Sequence, residues 1–184
     1  MSLTKTPLCE FGKKANFFKL ESTENKIIDL DIIKGTNGLL IMFICNHCPY
    51  VIATIKEIVQ TSKELKKYKI NSLAIMSNDQ NNYPEDSFDN MILFAKKYEF
   101  DFPYLIDRDQ SIAKKYGAVC TPDFFGYNKD LELQYRGRIR ELNNLQSVKD
   151  SKNELLISMQ QIAVTGLGPV NQKPSMGCNI KWFK

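Results

Sequence analysis

The sequence has no long hydrophobic run and no secretory signal. Its longest continuous apolar stretch, Leu39 to Cys45, has the length of a strand, far below the ~18 residues of a membrane-spanning helix. The first residues, "MSLTKTPLCEFGKKANF", contain no apolar segment followed by a cleavage site. From these two absences we expect a cytoplasmic protein that does not associate with a membrane.

A cluster of unpaired positive charge is also absent. The formal net charge is +4, from 25 basic and 21 acidic side chains. The lysines are spread along the chain and interleaved with acids, as in Lys63–Glu64 and in the segment from Lys96 to Glu99. This pattern is typical of solvated helix faces. We therefore predict no nucleic-acid partner.

The composition indicates an ordinary globular protein. Apolar residues make up 43% of the 184 residues, and no internal repeat divides the chain. We predict one domain over residues 1–166 and a C-terminal tail over residues 167–184. The tail contains Ile180, Trp182 and Phe183, so we expect it to dock onto the domain.

Short strands alternate with helical segments along the predicted domain. Residues 39–44 and 70–77 are mostly apolar, as expected of strands buried on both faces of a parallel sheet. Residues 51–65 repeat apolar side chains at helical spacing. Residues 121–128 and 132–140 read as two strands of a β-hairpin. The order predicts an α/β fold of three layers, with a mixed sheet and helices on both faces.

The segment "CNHC" lies where the first buried strand meets the following helix. Free N–H groups and the positive dipole end at a helix N-terminus stabilise a thiolate. One helical turn brings Cys48 beneath Cys45, so the two could close a disulfide. We expect Cys45 to be the exposed attacking thiol and Cys48 the shielded resolving thiol. His47 would tune the pair as a cationic or hydrogen-bonding neighbour.

Four segments carry a resemblance to a known family. "CNHCPYV", "CTPDFFGYN", "YRGRIR" and "QKPSMGCNIKW" resemble the thioredoxin-like subgroup of the AhpC/TSA (redoxin) proteins, over about residues 10–184. The resemblance implies a thioredoxin-like sandwich in which Thr121 and Pro122 form a cis-proline pair beside the CxxC. It also implies that the Thr121 backbone binds an incoming peptide or thiol.

The sequence departs from this family at informative positions. A peroxidatic cysteine is preceded by PxxxTxx, but here the proline and threonine positions are Gly38 and Met42. The buried acid that serves the resolving thiol in thioredoxin is replaced by Leu39. These differences argue against a thiol-dependent peroxidase, which stays an alternative, and against fast disulfide reduction.

Metal binding is a second alternative. Cys45, His47, Cys48 and Cys178 could bind a metal if the tail folded over, but the adjacent His47 and Cys48 make tetrahedral ligation awkward. The sequence has no second CxxC, and Pro49 excludes the CxxCH of haem attachment. We therefore predict neither a metal nor an organic cofactor, and keep a metal-binding or non-catalytic binding module as the alternative.

The remaining cysteines and a run of arginines have two readings each. Cys120 is either a buried strand residue or an accessory redox thiol, and Cys178 is either a docking residue or a thiol that resolves a disulfide. Arg136, Arg138 and Arg140 alternate on one predicted strand. They would form a solvated face or, less simply, an anionic-substrate patch.

The reading that accounts for most of these features is a thiol–disulfide oxidoreductase. Cys45 attacks a disulfide, and Cys48 resolves the mixed disulfide. The substrates would be protein or small-molecule disulfides or thiols, and a partner protein would reduce or oxidise the pair again. The sequence leaves the direction of electron flow open.

Overall fold

The computed structural model describes residues 3–184. Strands are β1 (Leu3–Lys5), β2 (Lys19–Ser22), β3 (Ile27–Asp29), β4 (Gly38–Phe43), β5 (Ile70–Met76), β6 (Tyr104–Ile106), β7 (Cys120–Thr121), β8 (Asp123–Asn128), β9 (Leu133–Tyr135), β10 (Leu142–Asn143), β11 (Gln146–Ser147) and β12 (Met176–Asn179). Helices are α1 (Leu30–Ile33), α2 (Pro49–Lys66), α3 (Phe88–Lys97), α4 (Ser111–Tyr116) and α5 (Glu154–Thr165). Within these residues no helix is both long enough and apolar enough to cross a membrane.

Seven strands form the central mixed sheet in the order β3-β2-β6-β5-β4-β8-β9. Strands β4, β5 and β6 run parallel, and β8 pairs antiparallel with β4. The antiparallel β8–β9 pair confirms the predicted late hairpin. A second sheet joins β1, β12 and β7, and a small hairpin joins β10 and β11.

Strand β4 is buried on both faces, as its continuous apolar sequence predicts. Leu40 and Met42 pack in the cluster formed with α2, α3 and α5, whereas Leu39 and Ile41 pack in the cluster formed with α1 and α4. Helices therefore cover both faces of the sheet, and the predicted α/β sandwich is confirmed. Burial on both sides makes β4 a rigid support for the loop that follows it.

Helix α2 begins directly after the cysteine pair. Cys48 occupies the N-cap position and Pro49 the first turn, where its missing N–H costs little. The buried face of α2 includes Val51, Ile55 and Ile58, which follow the predicted helical spacing. The local sequence thus places both cysteines at the N-terminus of a long, well-anchored helix.

The prediction that Arg136, Arg138 and Arg140 share one face of a strand is wrong. Strand β9 ends at Tyr135, so the three arginines do not share one strand. The Arg136 side chain is buried, pairs with Asp123 at 2.9 Å and lies over a phenylalanine ring. Arg138 and Arg140 bind carboxylates of α5 and α2 instead. Because the buried Asp123 carboxylate needs a counter-charge, the Arg136 side chain lies in the core and not in solvent.

The C-terminal segment docks through a strand. Strand β12 pairs antiparallel with β1 on one side and with β7 on the other. Ile180 is buried, as expected, whereas Trp182 and Phe183 stay 37% and 43% exposed. Backbone pairing, rather than the aromatic side chains, holds this segment on the domain.

Candidate active site

The two cysteines of the CxxC meet Thr121 at the end of β7. Cys45 Sγ lies 3.3 Å from Thr121 Oγ1, and Cys48 Sγ lies 3.1 Å from the Thr121 carbonyl oxygen. The Thr121–Pro122 peptide bond is cis. Residues more than seventy positions apart thus form one compact group, at the place the family resemblance implies.

The prediction that the Cys45 thiol is exposed is wrong. Its side chain is only 1% exposed, and Cys48 is fully buried. Strand β12 lies along β7, and Cys178 is the register partner of Thr121. Cys178, from a segment far away in sequence, contacts Cys48, and no local pattern could place it there.

The two thiols differ in acidity because they share a proton. Cys45 donates to Cys48, which lowers the pKa of Cys48. The backbone N–H groups of Cys178 and Val51 and the side chain of Thr121 also favour the Cys48 thiolate, against its burial. The same hydrogen bond, with burial and the nearby Asp86 carboxylate, raises the pKa of Cys45. These contacts favour a thiolate on Cys48 over one on Cys45, whereas the Thr121 carbonyl oxygen, 3.1 Å from Cys48 Sγ, can bind that sulfur only as a thiol.

A second proton arrangement is available in the same geometry. When the Cys48 thiol is protonated, it can donate to the Thr121 carbonyl oxygen at 3.1 Å. Thr121 Oγ1, at 3.3 Å, can then donate to a Cys45 thiolate. Thr121 thus contacts both sulfurs, and the proton can move between the two cysteines.

A buried carboxylate that sequence reasoning missed lies beside the pair. Asp86 is fully buried at the end of a short 3₁₀ helix, Pro84–Asp86. It accepts hydrogen bonds from the Asn46 backbone N–H at 2.8 Å and from Asn78 Nδ2 at 2.7 Å. Nothing in the sequence distinguishes this acid from its solvated neighbours, because its burial depends on the packing of the whole loop.

His47 pairs with this carboxylate. Its Nδ1 lies 2.8 Å from Asp86 Oδ2, and the Asp86 contact raises the pKa of the imidazole against partial burial. His47 Nδ1 makes no well-formed hydrogen bond, and its contact with Asp86 is an ion pair when the imidazole is protonated. The Tyr83 ring stacks on the imidazole. His47 is thus held in place beside the pair.

The loop between the cysteines is fixed from both sides. Asn46 accepts a hydrogen bond from the Tyr104 hydroxyl at 3.0 Å through Oδ1, and it donates to the Glu85 carbonyl oxygen at 3.0 Å. Tyr104 is fully buried in the sheet. These contacts tie the Asn46–His47 segment to the sheet and to the 3₁₀ helix.

One group of ligand-type side chains occurs here. The ligand atoms of Cys45, His47 and Asp86 lie within 4.8 Å of one another. This set differs from the predicted one, which combined His47 with three cysteines. A thiolate, an imidazole and a carboxylate are all ligand types used by Zn²⁺. The Asp86 oxygens already accept two hydrogen bonds, so metal binding would compete with contacts that hold the loop.

The three other cysteines have different surroundings. Cys120 is fully buried and its Sγ lies 3.9 Å from the Pro122 carbonyl oxygen, while burial raises its pKa. Cys178 contacts Cys48, and burial followed by that contact raises its pKa to about 12. Burial likewise raises the pKa of Cys9, to about 11. Of the predicted accessory thiols, Cys178 is the one in contact with the CxxC.

A cavity of about 330 Å³ opens beside Pro122. Its lining combines apolar groups with basic side chains, among them Tyr50, Met176, Lys5, Arg140 and Lys173. The cavity reaches the cis-proline through Pro122, which follows the threonine that contacts both cysteines.

Known proteins resemble this chain in sequence. A model of the AhpC/TSA family matches residues 11–142. The chain is 31% identical over 131 residues, 69% of each chain, to a protein named thiol-disulfide oxidoreductase ResA from Bacillus thuringiensis.

Solved structures extend the likeness to the whole chain. An uncharacterized conserved protein from Geobacillus kaustophilus is 35% identical, with a TM-score of 0.93 over 100% of this chain and 97% of its own. A secreted disulfide oxidoreductase from Mycobacterium tuberculosis has a TM-score of 0.58 at 16% identity, covering 80% of this chain and 94% of its own, which shows a shared fold.

Proposed function

The chain belongs to the AhpC/TSA family, and we propose that it is a thiol–disulfide oxidoreductase that works through Cys45 and Cys48. The observation that carries the proposal is the convergence of both sulfurs on Thr121, with Cys45 Sγ 3.3 Å from its hydroxyl and Cys48 Sγ 3.1 Å from its carbonyl oxygen. A dithiol that holds one proton between two close sulfurs is prepared for thiolate attack.

The reaction consists of two exchanges. The Cys45 thiolate attacks one sulfur of a substrate disulfide, so that a mixed disulfide forms and the other substrate sulfur leaves as a thiolate. The Cys48 thiolate then attacks Cys45 Sγ, and the remaining substrate thiolate is released. The substrate gains two electrons, and the protein ends with a Cys45–Cys48 disulfide. An external dithiol restores the pair, and the same steps in reverse oxidise a substrate.

The surrounding residues position and tune the pair. Thr121 supplies a donor for the Cys45 thiolate and an acceptor for the Cys48 thiol. His47 and Asp86 set the charge beside Cys45. Pro122 lines the neighbouring cavity, where protein or small-molecule thiols and disulfides could bind. The basic lining favours substrates with acidic groups. The predicted cytoplasmic location stays a prediction.

The test is a redox equilibrium of the full chain against glutathione, followed by acid trapping, alkylation and peptide mapping. We expect a reversible Cys45–Cys48 disulfide that disappears in Cys45→Ser and persists in Cys120→Ser, whose buried thiol lies against the Pro122 carbonyl oxygen. A potential near about −270 mV would indicate a reductase, and one near about −120 to −180 mV an oxidant or isomerase. Absence of this disulfide at every ratio would refute the proposal.

A metal-binding role is the second candidate, favoured by the grouping of Cys45, His47 and Asp86. It predicts about one metal ion per chain after purification under reducing conditions, lost in Asp86→Asn. Metal content should therefore be measured on the sample used for the redox equilibrium. Stoichiometric metal without a Cys45–Cys48 couple would favour this candidate over the oxidoreductase.

A further inference from the structure

The C-terminal strand occupies the backbone edge next to the redox pair. Strand β12 pairs antiparallel with β7, with Cys178 opposite Thr121 and Asn179 opposite Cys120. An exposed edge of this kind is where an extended peptide could add as another strand. Here the chain supplies that strand itself.

The fit of β12 depends on a glycine. Gly177 precedes Cys178, and a Cβ at this position would overlap the Thr121 carbonyl oxygen and carbon. Only a residue without a side chain lets β12 approach the threonine that binds both cysteines of the CxxC. The close approach is therefore built into the sequence of the strand.

This approach brings a third sulfur into contact with the pair. The Cys178 backbone N–H donates to Cys48, and the two side chains are also in contact. Cys48 also contacts Cys45, and all three cysteines lie in one buried cluster. Cys48 is thus the central sulfur of three, and it has two neighbours with which it could form a disulfide.

We propose that Cys178 is a third redox thiol that exchanges with the CxxC to form a Cys48–Cys178 disulfide. The inference rests on the proposed function, because the exchange begins from a Cys45–Cys48 disulfide. Cys178 Sγ attacks Cys48 Sγ, the Cys48–Cys178 bond forms and the Cys45–Cys48 bond breaks, and the proton of the Cys178 thiol passes to the departing Cys45 sulfur. One disulfide is broken and one is formed, so no further oxidant is needed.

The exchange has a structural consequence. A Cys48–Cys178 disulfide ties β12 covalently to the N-terminus of α2, whereas the Cys45–Cys48 disulfide leaves β12 held by non-covalent contacts, chiefly its backbone pairing with β1 and β7. The Cys48–Cys178 state keeps the β7 edge closed and returns Cys45 to its reduced form. The Cys45–Cys48 state allows β12 to leave and an extended peptide to take its place. Redox state would then control access of a peptide substrate to the edge beside the pair.

Removal of Cys45 isolates the proposed disulfide. Cys45→Ser is oxidised with oxidised glutathione, trapped in acid, alkylated and mapped under non-reducing conditions. Any mixed disulfide at Cys48 faces Cys178 at an effective concentration on the order of millimolar. We therefore expect a Cys48–Cys178 peptide as the main product. It should vanish in Cys45→Ser/Cys178→Ser, which keeps glutathione on Cys48, and remain in the matched control Cys45→Ser/Cys120→Ser.

A second variant tests the strand that delivers the thiol. Gly177→Ala keeps every cysteine but should push β12 away from Thr121. In the Cys45→Ser background it should lower the yield of the Cys48–Cys178 peptide by roughly tenfold or more. A tenfold change corresponds to about 1.4 kcal/mol in the free energy of forming this disulfide. Circular dichroism should show that these variants stay folded.

The outcomes separate this inference from the proposed function. If the wild type forms Cys45–Cys48 but Cys45→Ser yields only glutathionylated Cys48, the third-thiol proposal is wrong and the oxidoreductase survives. If Cys178→Ser, in which the exchange is impossible, forms no Cys45–Cys48 disulfide, the proposed function itself fails. An equal yield of Cys48–Cys178 and Cys48–Cys120 peptides would also overturn the inference, because it would show that β12 does not select the pair.

Discussion

His47 Nδ1 lies 2.8 Å from Oδ2 of Asp86, a carboxylate that solvent does not reach. The carboxylate raises the pKa of the imidazole. His47 also lies between the two cysteines in sequence. Asp86, almost forty residues away in the chain, therefore influences the charge of a side chain next to the redox pair.

The first prediction concerns the titration of this histidine. Asp86→Asn should lower the pKa of His47, because the acceptor that stabilises the imidazolium is lost. His47 is the single histidine of the chain, so its ring resonances can be followed by NMR without ambiguity. Asp89→Asn removes an exposed acid from the next helix and is the matched control. Equal pKa values in both variants would show that Asp86 does not set the charge.

The same pair gives the stability a defined pH dependence. The folded-state pKa of His47 lies above its unfolded value of ~6.5. The stabilisation is therefore complete below about pH 6.5 and is lost as the pH rises through the folded-state value. Urea unfolding at about pH 6 and about pH 9 should show a difference between wild type and Asp86→Asn that shrinks at the higher pH. A constant difference would mean that the charge of His47 does not matter.

The second prediction concerns thiolate formation. Cys45 donates to Cys48 in the resting pair, so Cys45→Ala should raise the pKa of Cys48. Thiolate absorbance near neutral pH should be present in the wild type and absent in this variant, since burial raises the pKa of the other three thiols.

A serine at position 45 provides the control. Its hydroxyl can still donate to Cys48, so Cys45→Ser should recover part of the absorbance lost in the alanine variant. If alanine and serine behave alike and keep the wild-type absorbance, the helix N-terminus alone stabilises the thiolate, and the shared proton is not needed.

The third prediction concerns the Thr121 hydroxyl. Thr121→Val removes the donor that lies 3.3 Å from Cys45 Sγ but keeps the backbone carbonyl that serves Cys48. The loss of one hydrogen bond to a thiolate, about 1.5 kcal/mol or more, should slow disulfide reduction by roughly tenfold. Thr121→Ser should retain most of the rate. Equal rates for valine and threonine would remove the hydroxyl from the mechanism.

The fourth prediction concerns the ion pair behind the cis-proline. Arg136 and Asp123 are both buried, so Asp123→Ala leaves a buried charge without its partner. We expect a loss of about 3–5 kcal/mol in the free energy of unfolding, measured with urea. Glu21→Ala breaks an exposed pair with Arg108 and should cost no more than about 1 kcal/mol. Similar losses in both variants would contradict the structural role assigned to the buried pair.

The sequence by itself determined the elements and the place of the cysteine pair. Continuous apolar residues fix β4, helical spacing fixes α2, and Pro49 marks where that helix begins. These features depend on neighbours within a few positions, so they can be read from the chain directly. The family resemblance added the Thr121–Pro122 pair and its position beside the CxxC.

The tertiary structure decided what surrounds the pair. The inward turn of Asp86, the burial of Cys45 and the pairing of β12 with β7 all join segments far apart in sequence. A local pattern cannot tell an acid that will be buried from one that stays solvated, because burial depends on how whole elements pack. For the same reason Cys178 could be named as a candidate from the sequence, but only the sheet that joins β12 to β7 places it against Cys48.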